Sequence, residues 1–212
     1  MTEPLRVAGI VLAAGASRRM GRNKMLLELE GESVIRRVVR RAIAARLSPV
    51  VVVLGHEPDA ARAALAGLPC ETTLNPEYTG PTSGSLHRGL RQLPSSVEAA
   101  VVMLADMVLV TAAMLEDLAR AAAADATVPL VVSRYGDVTA PPLLFRRSLF
   151  GELLAWTGEG CGKAVVQRHR HEARLLDWPD ILLTDIDTPD DLEAARVAVR
   201  QGISTQKSET RM

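Results

Sequence analysis

Val7-Ala8-Gly9-Ile10-Val11-Leu12-Ala13-Ala14-Gly15-Ala16-Ser17-Arg18-Arg19-Met20-Gly21-Arg22-Asn23-Lys24 is the stretch from which the rest of the chain can be read. Val7 to Leu12 is a continuous apolar run of strand length. A strand that is apolar without alternation is covered on both faces, as in a parallel sheet. The run empties into small residues, Ala13 to Ala16, that let the main chain approach a ligand closely. Successive amide groups in such a turn form a concave anion site. Arg18, Arg19, Arg22 and Lys24 then follow within seven residues, and no acid appears before Glu28. Positive charge concentrated behind a small-residue turn, at a strand's exit, suits a polyanion such as a triphosphate. Of the 25 basic residues 22 are arginine, and the lysines are Lys24, Lys163 and Lys207 alone. A compact ammonium at Lys24 fits between phosphate oxygens better than a planar guanidinium fork does. The loop is neither G-x-x-x-x-G-K-[ST] nor G-x-G-x-x-G, which disfavours kinase-type and dinucleotide-type loops.

Outward from this stretch, short β-branched runs alternate with longer segments of helical period. Ser33 to Arg46 predicts a helix, with Val34, Ile35, Val38, Val39 and Ile43 on one face. Pro49 to Leu54 predicts a second buried strand, Asp59 to Leu68 a short helix begun by Asp59, and Cys70 to Leu74 a weaker strand. Ser83 to Leu93 reads as a helix, Ala99 to Leu104 as a strand, and Thr111 to Ala124 as a helix capped by Thr111. Val128 to Ser133 and Pro142 to Phe145 form two strands around Gly136-Asp137. Ser148 to Trp156 and Gly162 to His169 are expected helices, Ala173 to Leu176 and Ile181 to Thr184 short strands. Thr188-Pro189-Asp190-Asp191 places a capping hydroxyl, a proline at the first helical position and an acid three residues on, so a helix runs from Pro189 to Gln201. The expected class is α/β: a three-layer, Rossmann-like arrangement with a mostly parallel twisted sheet and helices on both faces. One domain over residues 1–203 is expected, followed by a polar tail over 204–212. Ligands of such sheets sit beyond the carboxyl ends of the strands.

Composition narrows the class further. The chain has 212 residues, 48% of them apolar, and 25 basic against 25 acidic side chains. That balance offers no basic stripe for nucleic acid, and no run approaches the length of a membrane span. Two cysteines, Cys70 and Cys161, make neither a disulfide framework nor a zinc cage, and an intracellular, cytoplasmic setting is expected.

Three further segments carry chemistry. Asp106 follows the apolar run Val101 to Ala105, and an acid held there without a cation is costly. A hard ion such as Mg²⁺, sharing one or two carboxylates and phosphate oxygens, resolves that cost. Asp185-Ile186-Asp187-Thr188 adds two acids, sent to one side by strand alternation; Thr188 caps the helix and leaves Asp187 as a second metal ligand. Asn75 to Leu90 leads Ser83-Gly84-Ser85 into a helix, offering hydroxyls and amides suited to a base edge or ribose. His169 and His171, among Arg168, Arg170 and Glu172, read as a solvated end. Cys161 lies near a helix start, where a thiol pKa falls, but no histidine pairs with it.

Leu12-Ala13-Ala14-Gly15-x-Ser17-x-Arg19-Met20-Gly21 with Lys24, Asp106 and Asp185-Ile186-Asp187-Thr188-Pro189-x-Asp191-Leu192 resembles the MobA-like nucleotidyltransferases, from about residue 7 to residue 200. Residues Gly80 to Gly89 look most like the molybdopterin cytidylyltransferase branch. The resemblance implies a nucleotidyltransferase fold and transfer of a nucleotide from an NTP to a phosphorylated acceptor, with pyrophosphate released. CTP is favoured over GTP, and molybdopterin is the implied acceptor. Leu12, Ala13, Ala14 and Gly15 would meet base and phosphates through the backbone; Arg18, Arg19 and Lys24 would hold the triphosphate. Asp106 and Asp187 would hold Mg²⁺, and Gly80, Ser83 and Ser85 would face the base. Lys24, Arg19 and Asp106 are the implied catalytic set, and a molybdenum hydroxylase is an implied recipient. The chain departs from the branch at Ala105-Asp106-Met107-Val108, at Ala140-Pro141-Pro142 and at Gly158 to Lys163. The last two leave the acceptor open. A sugar-phosphate-type transferase and a non-catalytic cofactor-binding accessory protein are the alternatives.

Overall fold

A computed structural model of the chain describes residues 4–17 and 20–202. Arg18, Arg19 and the polar tail 204–212 therefore lie outside the described residues. Seven strands make one sheet: β1 (Val7–Ala13), β4 (Val50–Leu54), β5 (Glu71–Leu74), β6 (Ala99–Leu104), β7 (Leu130–Tyr135), β8 (Val138–Arg146) and β9 (Arg174–Trp178). Their order is β5-β4-β1-β6-β8-β7-β9. β1 pairs in parallel with β4 and β6, and β4 with β5, whereas β8 runs antiparallel to β6 and β7. β9 is parallel to β7. One strand is thus reversed in an otherwise parallel sheet, and it is reversed because Gly136-Asp137 turn the chain back directly, with Tyr135 opposite Val138.

Alternation along the strands divides the interior in two. Ala8 and Ile10 of β1, Val51 and Val53 of β4 and Val102 of β6 face α3 (Thr82–Gln92), α5 (Phe150–Ala155) and α6 (Cys161–Arg168). Val7, Val11 and Ala13, with Val52 and Met103, face α1 (Val34–Ala44), α4 (Ala112–Ala124) and α7 (Pro189–Arg200). The expected three layers are present. The chain leaves β1 toward β4 and returns to β6 on its other side, so the topological switch point lies between the carboxyl ends of β1 and β6.

Several local expectations are corrected. α2 covers Pro58–Ala64, with Glu57 rather than Asp59 at its start; Pro58 takes the first turn, where its missing N–H costs nothing. Ile181 to Thr184 is no strand: Asp180–Leu183 form one 3-10 turn behind Pro179, which buries Leu182 and leaves Ile181 exposed. Ser148 to Trp156 begins as a 3-10 turn, Arg147–Leu149, before α5. A small antiparallel pair, β2 (Glu28–Leu29) with β3 (Glu32–Ser33), occupies a stretch that carries no strand signal of useful length. Thr111 accepts from Met114 N at 3.1 Å and Thr188 forms a full capping box with Asp191, as their sequences direct. His169 holds α5 to α6, Nε2 against Glu152 at 2.8 Å and Nδ1 against Glu172 at 2.9 Å, and these carboxylates raise its pKa above 6.5.

Gly89 sets how closely α3 lies on the sheet. A Cβ there would stand 2.6 Å from Ile10 Cγ2 and 3.2 Å from Val53 Cγ2, both on central strands and fully buried. In an exposed helix Gly→Ala gains about 1 kcal/mol; here overpacking costs about 1–3 kcal/mol, and stiff β-branched neighbours put the cost at the upper end. Gly89→Ala is expected to lower the thermal midpoint by a few degrees, read by circular dichroism.

Candidate active site

The loop after β1 is shaped to present one side chain. Ser17 adopts φ +50°, reversing the chain, and its Oγ accepts from Lys24 N at 3.1 Å. Asn23, buried, caps the 3-10 turn Lys24–Leu26: its Oδ1 accepts from Met25 N at 3.1 Å, and its Nδ2 donates to His56 O at 3.4 Å. Gly55 lets the exit of β4 lie against this loop, since a Cβ would meet Ala14 O at 2.4 Å and Tyr78 Cβ at 2.5 Å. Lys24 thus has its backbone held from two directions, with its ammonium turned inward.

That ammonium donates to Asp106 Oδ2 at 2.6 Å and to Asp187 Oδ1 at 2.7 Å, with only 10% of the lysine side chain exposed. Asp106 sits in the turn after β6. Asp187 arrives from the far end of the chain: Ile186 is fully buried and its amide donates to Asp106 O at 3.4 Å, which places Asp187 beside the lysine. Asp191 Oδ2 accepts from Asp187 N at 3.1 Å and Thr188 N at 2.7 Å, fixing the same segment to the head of α7. Burial pulls the Lys24 pKa down, but the two carboxylates outweigh it and the net shift is upward from 10.5. Asp185, exposed at the rim, feels the opposite. Partial withdrawal from water, then Asp106 and Asp187, push its pKa up to about 6.

Three carboxylates around one ammonium leave an excess of negative charge. Asp106 Oδ1 is buried without a hydrogen-bond partner. Among the described residues no group of three or more His, Cys, Asp or Glu is arranged to hold a metal ion. Two carboxylates are nevertheless what a hard divalent ion uses when phosphate oxygens and waters supply the rest. The orphaned Oδ1 and the acidic surplus fit such an ion.

Leu12, Ala14, Gly15, Lys24, Gly80, Ser83, Ser85 and Asp106 all line one cavity of about 430 Å³. Asp187 lines the adjoining mouth, which shares Gly15, Lys24, Tyr78 and Thr82 with the cavity. Ala13 lines neither; it stays paired with Leu54 and its side chain packs on the opposite face. A Cβ on Gly15 would meet nothing within 4 Å, so protein packing does not require glycine there and the space is left to the cavity. Ser85 Oγ accepts from buried Asn75 Nδ2 at 3.0 Å, and Asn75 Oδ1 in turn accepts from Glu77 N at 3.2 Å. Asn75 and Asn23 are the positioning residues that sequence reading missed, although an asparagine beside a turn is their only signal. Cys161 is corrected: burial and then Glu152 push its thiol up to about 11, and Sγ donates to Leu153 O at 3.4 Å, so it stays a neutral wall.

Lys24→Met would leave two adjacent carboxylates without their cation. Breaking a mostly buried pair costs about 3–5 kcal/mol, less where one partner is a third exposed as Asp187 is, so roughly 2–4 kcal/mol is expected. Because the folded pKa of Lys24 lies above its ordinary 10.5, this contribution is whole below that pH and is lost as pH rises through the raised value. Above the range in which Asp185 and its neighbouring carboxylates titrate, chemical denaturation from pH 8 to pH 10 should therefore show a constant gap between variant and wild type.

With this geometry in view, comparisons with known proteins give one consistent result. The family described as MobA-like NTP transferase domain matches residues 9–173. Purine catabolism protein PucB of Bacillus subtilis (strain 168) is 28% identical over 203 residues, covering 90% of this chain and 96% of that protein. Bifunctional protein GlmU of Sorangium cellulosum (strain So ce56) is 33% identical over 148 residues, 65% of this chain and 31% of that protein. The chain thus spans about a third of the length of the GlmU proteins it matches. The crystal structure of Rv0371c from Mycobacterium tuberculosis H37Rv superposes with a TM-score of 0.82 at 28% identity, over 92% of this chain and all of that one. A further structure of that protein is a complex with manganese.

Proposed function

The chain belongs to the family of MobA-like NTP transferase domains, and from that premise we propose that it is a Mg²⁺-dependent nucleotidyltransferase that transfers CMP, in preference to GMP, to the phosphate of molybdopterin. The observation that carries the reading is the cluster of Lys24, Asp106 and Asp187 at the switch point, with Lys24 and Asp106 lining the cavity and Asp187 its adjoining mouth. Release of pyrophosphate needs little covalent help from a protein; it needs two phosphates aligned and their charge neutralised. Leu12, Ala14 and Gly15 line the route for base and phosphates through the main chain, and Ala13 extends that strand end. Gly80, Ser83 and Ser85 form the side proposed to face the base. Lys24 moves from its carboxylates to the β- and γ-phosphates when nucleotide enters, with Arg18 and Arg19 assisting from the loop. Asp106, whose Oδ1 has no partner, and Asp187 would hold the divalent ion. When bound, such an ion would supply positive charge to offset that of the phosphates.

The choice of acceptor rests on the likeness of Gly80 to Gly89 to the cytidylyltransferase branch, and a molybdenum hydroxylase is the proposed recipient of the product. That a 27% identical neighbour is known as a complex with manganese supports a divalent ion here without selecting Mg²⁺.

Thermal-shift screening with CTP, GTP, ATP and UTP, with and without MgCl₂, tests the nucleotide half. At about 100 Kd a ligand that binds only the folded state adds about 2.7 kcal/mol, roughly 5–10 °C for a chain of this size. The largest shift is expected with CTP, and only with metal present. Asp106→Ala is expected to keep the fold and to reduce pyrophosphate release at least about 100-fold; near wild-type turnover in that variant would refute the metal assignment.

A further inference from the structure

The cavity is built from two unlike halves. Over β1 it is bounded by the loop after that strand and by the start of α3, with main-chain groups, hydroxyls, Lys24 and Asp106. Farther along the sheet its floor is Val102 of β6 with Leu143 and Phe145 of β8, and its roof is the first turns of α6, with Cys161 and Val166. The roof is close: a Cβ on Gly162 would lie 3.8 Å from Leu143 Cδ1 and 3.9 Å from Phe145 Cζ. Cys161 adds no charge, its thiol being neutral and already donating to Leu153 O. In this half the polar side chains of the lining are Thr139 and Lys163.

Lys163 has no hydrogen bond or ion pair among the described residues and stands exposed at the edge of this apolar pocket. The chain uses arginine for 22 of its 25 cations, yet both of its lysines within the described residues line this one cavity. α6 lies over β8, two strands from β1, whereas Lys24 stands in the turn behind the loop after β1. A polyhydroxylated body in this half would lose water from its hydroxyls and find almost no partners, which disfavours it. An apolar ring face loses nothing there, and an anion at its far end would meet Lys163.

We propose that the half of the cavity roofed by α6 takes an acceptor with an apolar-faced ring body that carries a second anionic group, apart from the reacting phosphate, and that Lys163 binds that second anion. The assignment rests on the nucleotidyl-transfer reading above and names the acceptor's chemical class within it. Lys163 is then a specificity residue: it leaves the reacting atoms to Lys24 and Asp106 and selects the molecule presented to them.

Titration calorimetry on the full chain, in MgCl₂ with a non-hydrolysable CTP analogue, tests this with three probes: 2-naphthyl phosphate, its 6-carboxy derivative and glucose 1-phosphate. The carboxylated probe is expected to bind about tenfold more tightly than 2-naphthyl phosphate, and glucose 1-phosphate about tenfold more weakly. In Lys163→Met the advantage of the carboxylate should fall below about twofold, and in Lys163→Arg most of it should remain. Lys163 is exposed in a helix, so both variants keep the fold. Equal affinity for the two naphthyl probes, an advantage that survives in Lys163→Met, glucose 1-phosphate binding as tightly as 2-naphthyl phosphate, or no binding of either naphthyl probe each overturns the proposal. The nucleotide titration is a separate arm. If nucleotide binds and the probes do not discriminate, only the acceptor class is wrong; if nucleotide does not bind, the transfer reading fails and takes this inference with it.

Discussion

The Nζ atom of Lys24 joins three parts of the chain that are far apart in sequence. Its carboxylate partners lie 82 and 163 residues further on. Bringing Asp106 and Asp187 side by side without a cation would set two like charges against each other in a space where neither is well hydrated. The ammonium removes that repulsion, and in doing so it pins the turn after β6 and the segment before α7 to the loop after β1. A charge arrangement of this kind adds little net stability relative to an apolar one. Its persistence is better understood as pre-organisation. Two carboxylates are held on one ammonium, the arrangement that the proposed binding of a divalent ion and a triphosphate draws on.

The framework that permits this is indifferent to chemistry. β1 is buried from both sides and paired on both edges, so its carboxyl end is among the least mobile points of the fold. The loop that follows departs from it under three independent restraints, Ser17 to Lys24 N, Asn23 to Met25 N and Asn23 to His56 O. Rigid support under a small-residue loop lets the loop dispense with side chains, which is why Gly15 can face open space at no packing cost. The cavity then extends away from this polar corner over β6 and β8 and becomes progressively apolar.

Much of this was legible in the amino-acid sequence. The uninterrupted apolar runs at Val7 to Leu12, Val50 to Leu54 and Ala99 to Leu104 required a sheet covered on both faces, and the Thr188-Pro189-Asp190-Asp191 cap fixed the last helix. The side taken by Asp187 was inferred by carrying alternation from an expected strand at Ile181 to Thr184 on through Asp185-Ile186-Asp187, but that strand is absent; the aspartate is placed by the burial of Ile186 and by its amide bonding to Asp106 O. Asp187 reaches the cluster all the same, because an extended segment with one buried side chain alternates as a strand does. Cys161 misled in the opposite direction. A thiol near a helix start can acidify, but here burial and then Glu152 raise it.

By itself, the sequence determined which strands are buried, where helices begin and that cations concentrate behind β1, since these depend on neighbours within a few residues and on hydrophobic period. Tertiary structure alone decided that Lys24 points inward rather than into solvent, that Asn75 and Asn23 hold the loops, and that Lys163 overlooks the same cavity as Lys24. Those facts depend on which segments pack together across the switch point. Contacts of that kind are set by the free energy of burying the whole sheet, to which a local pattern of residues gives no direct access.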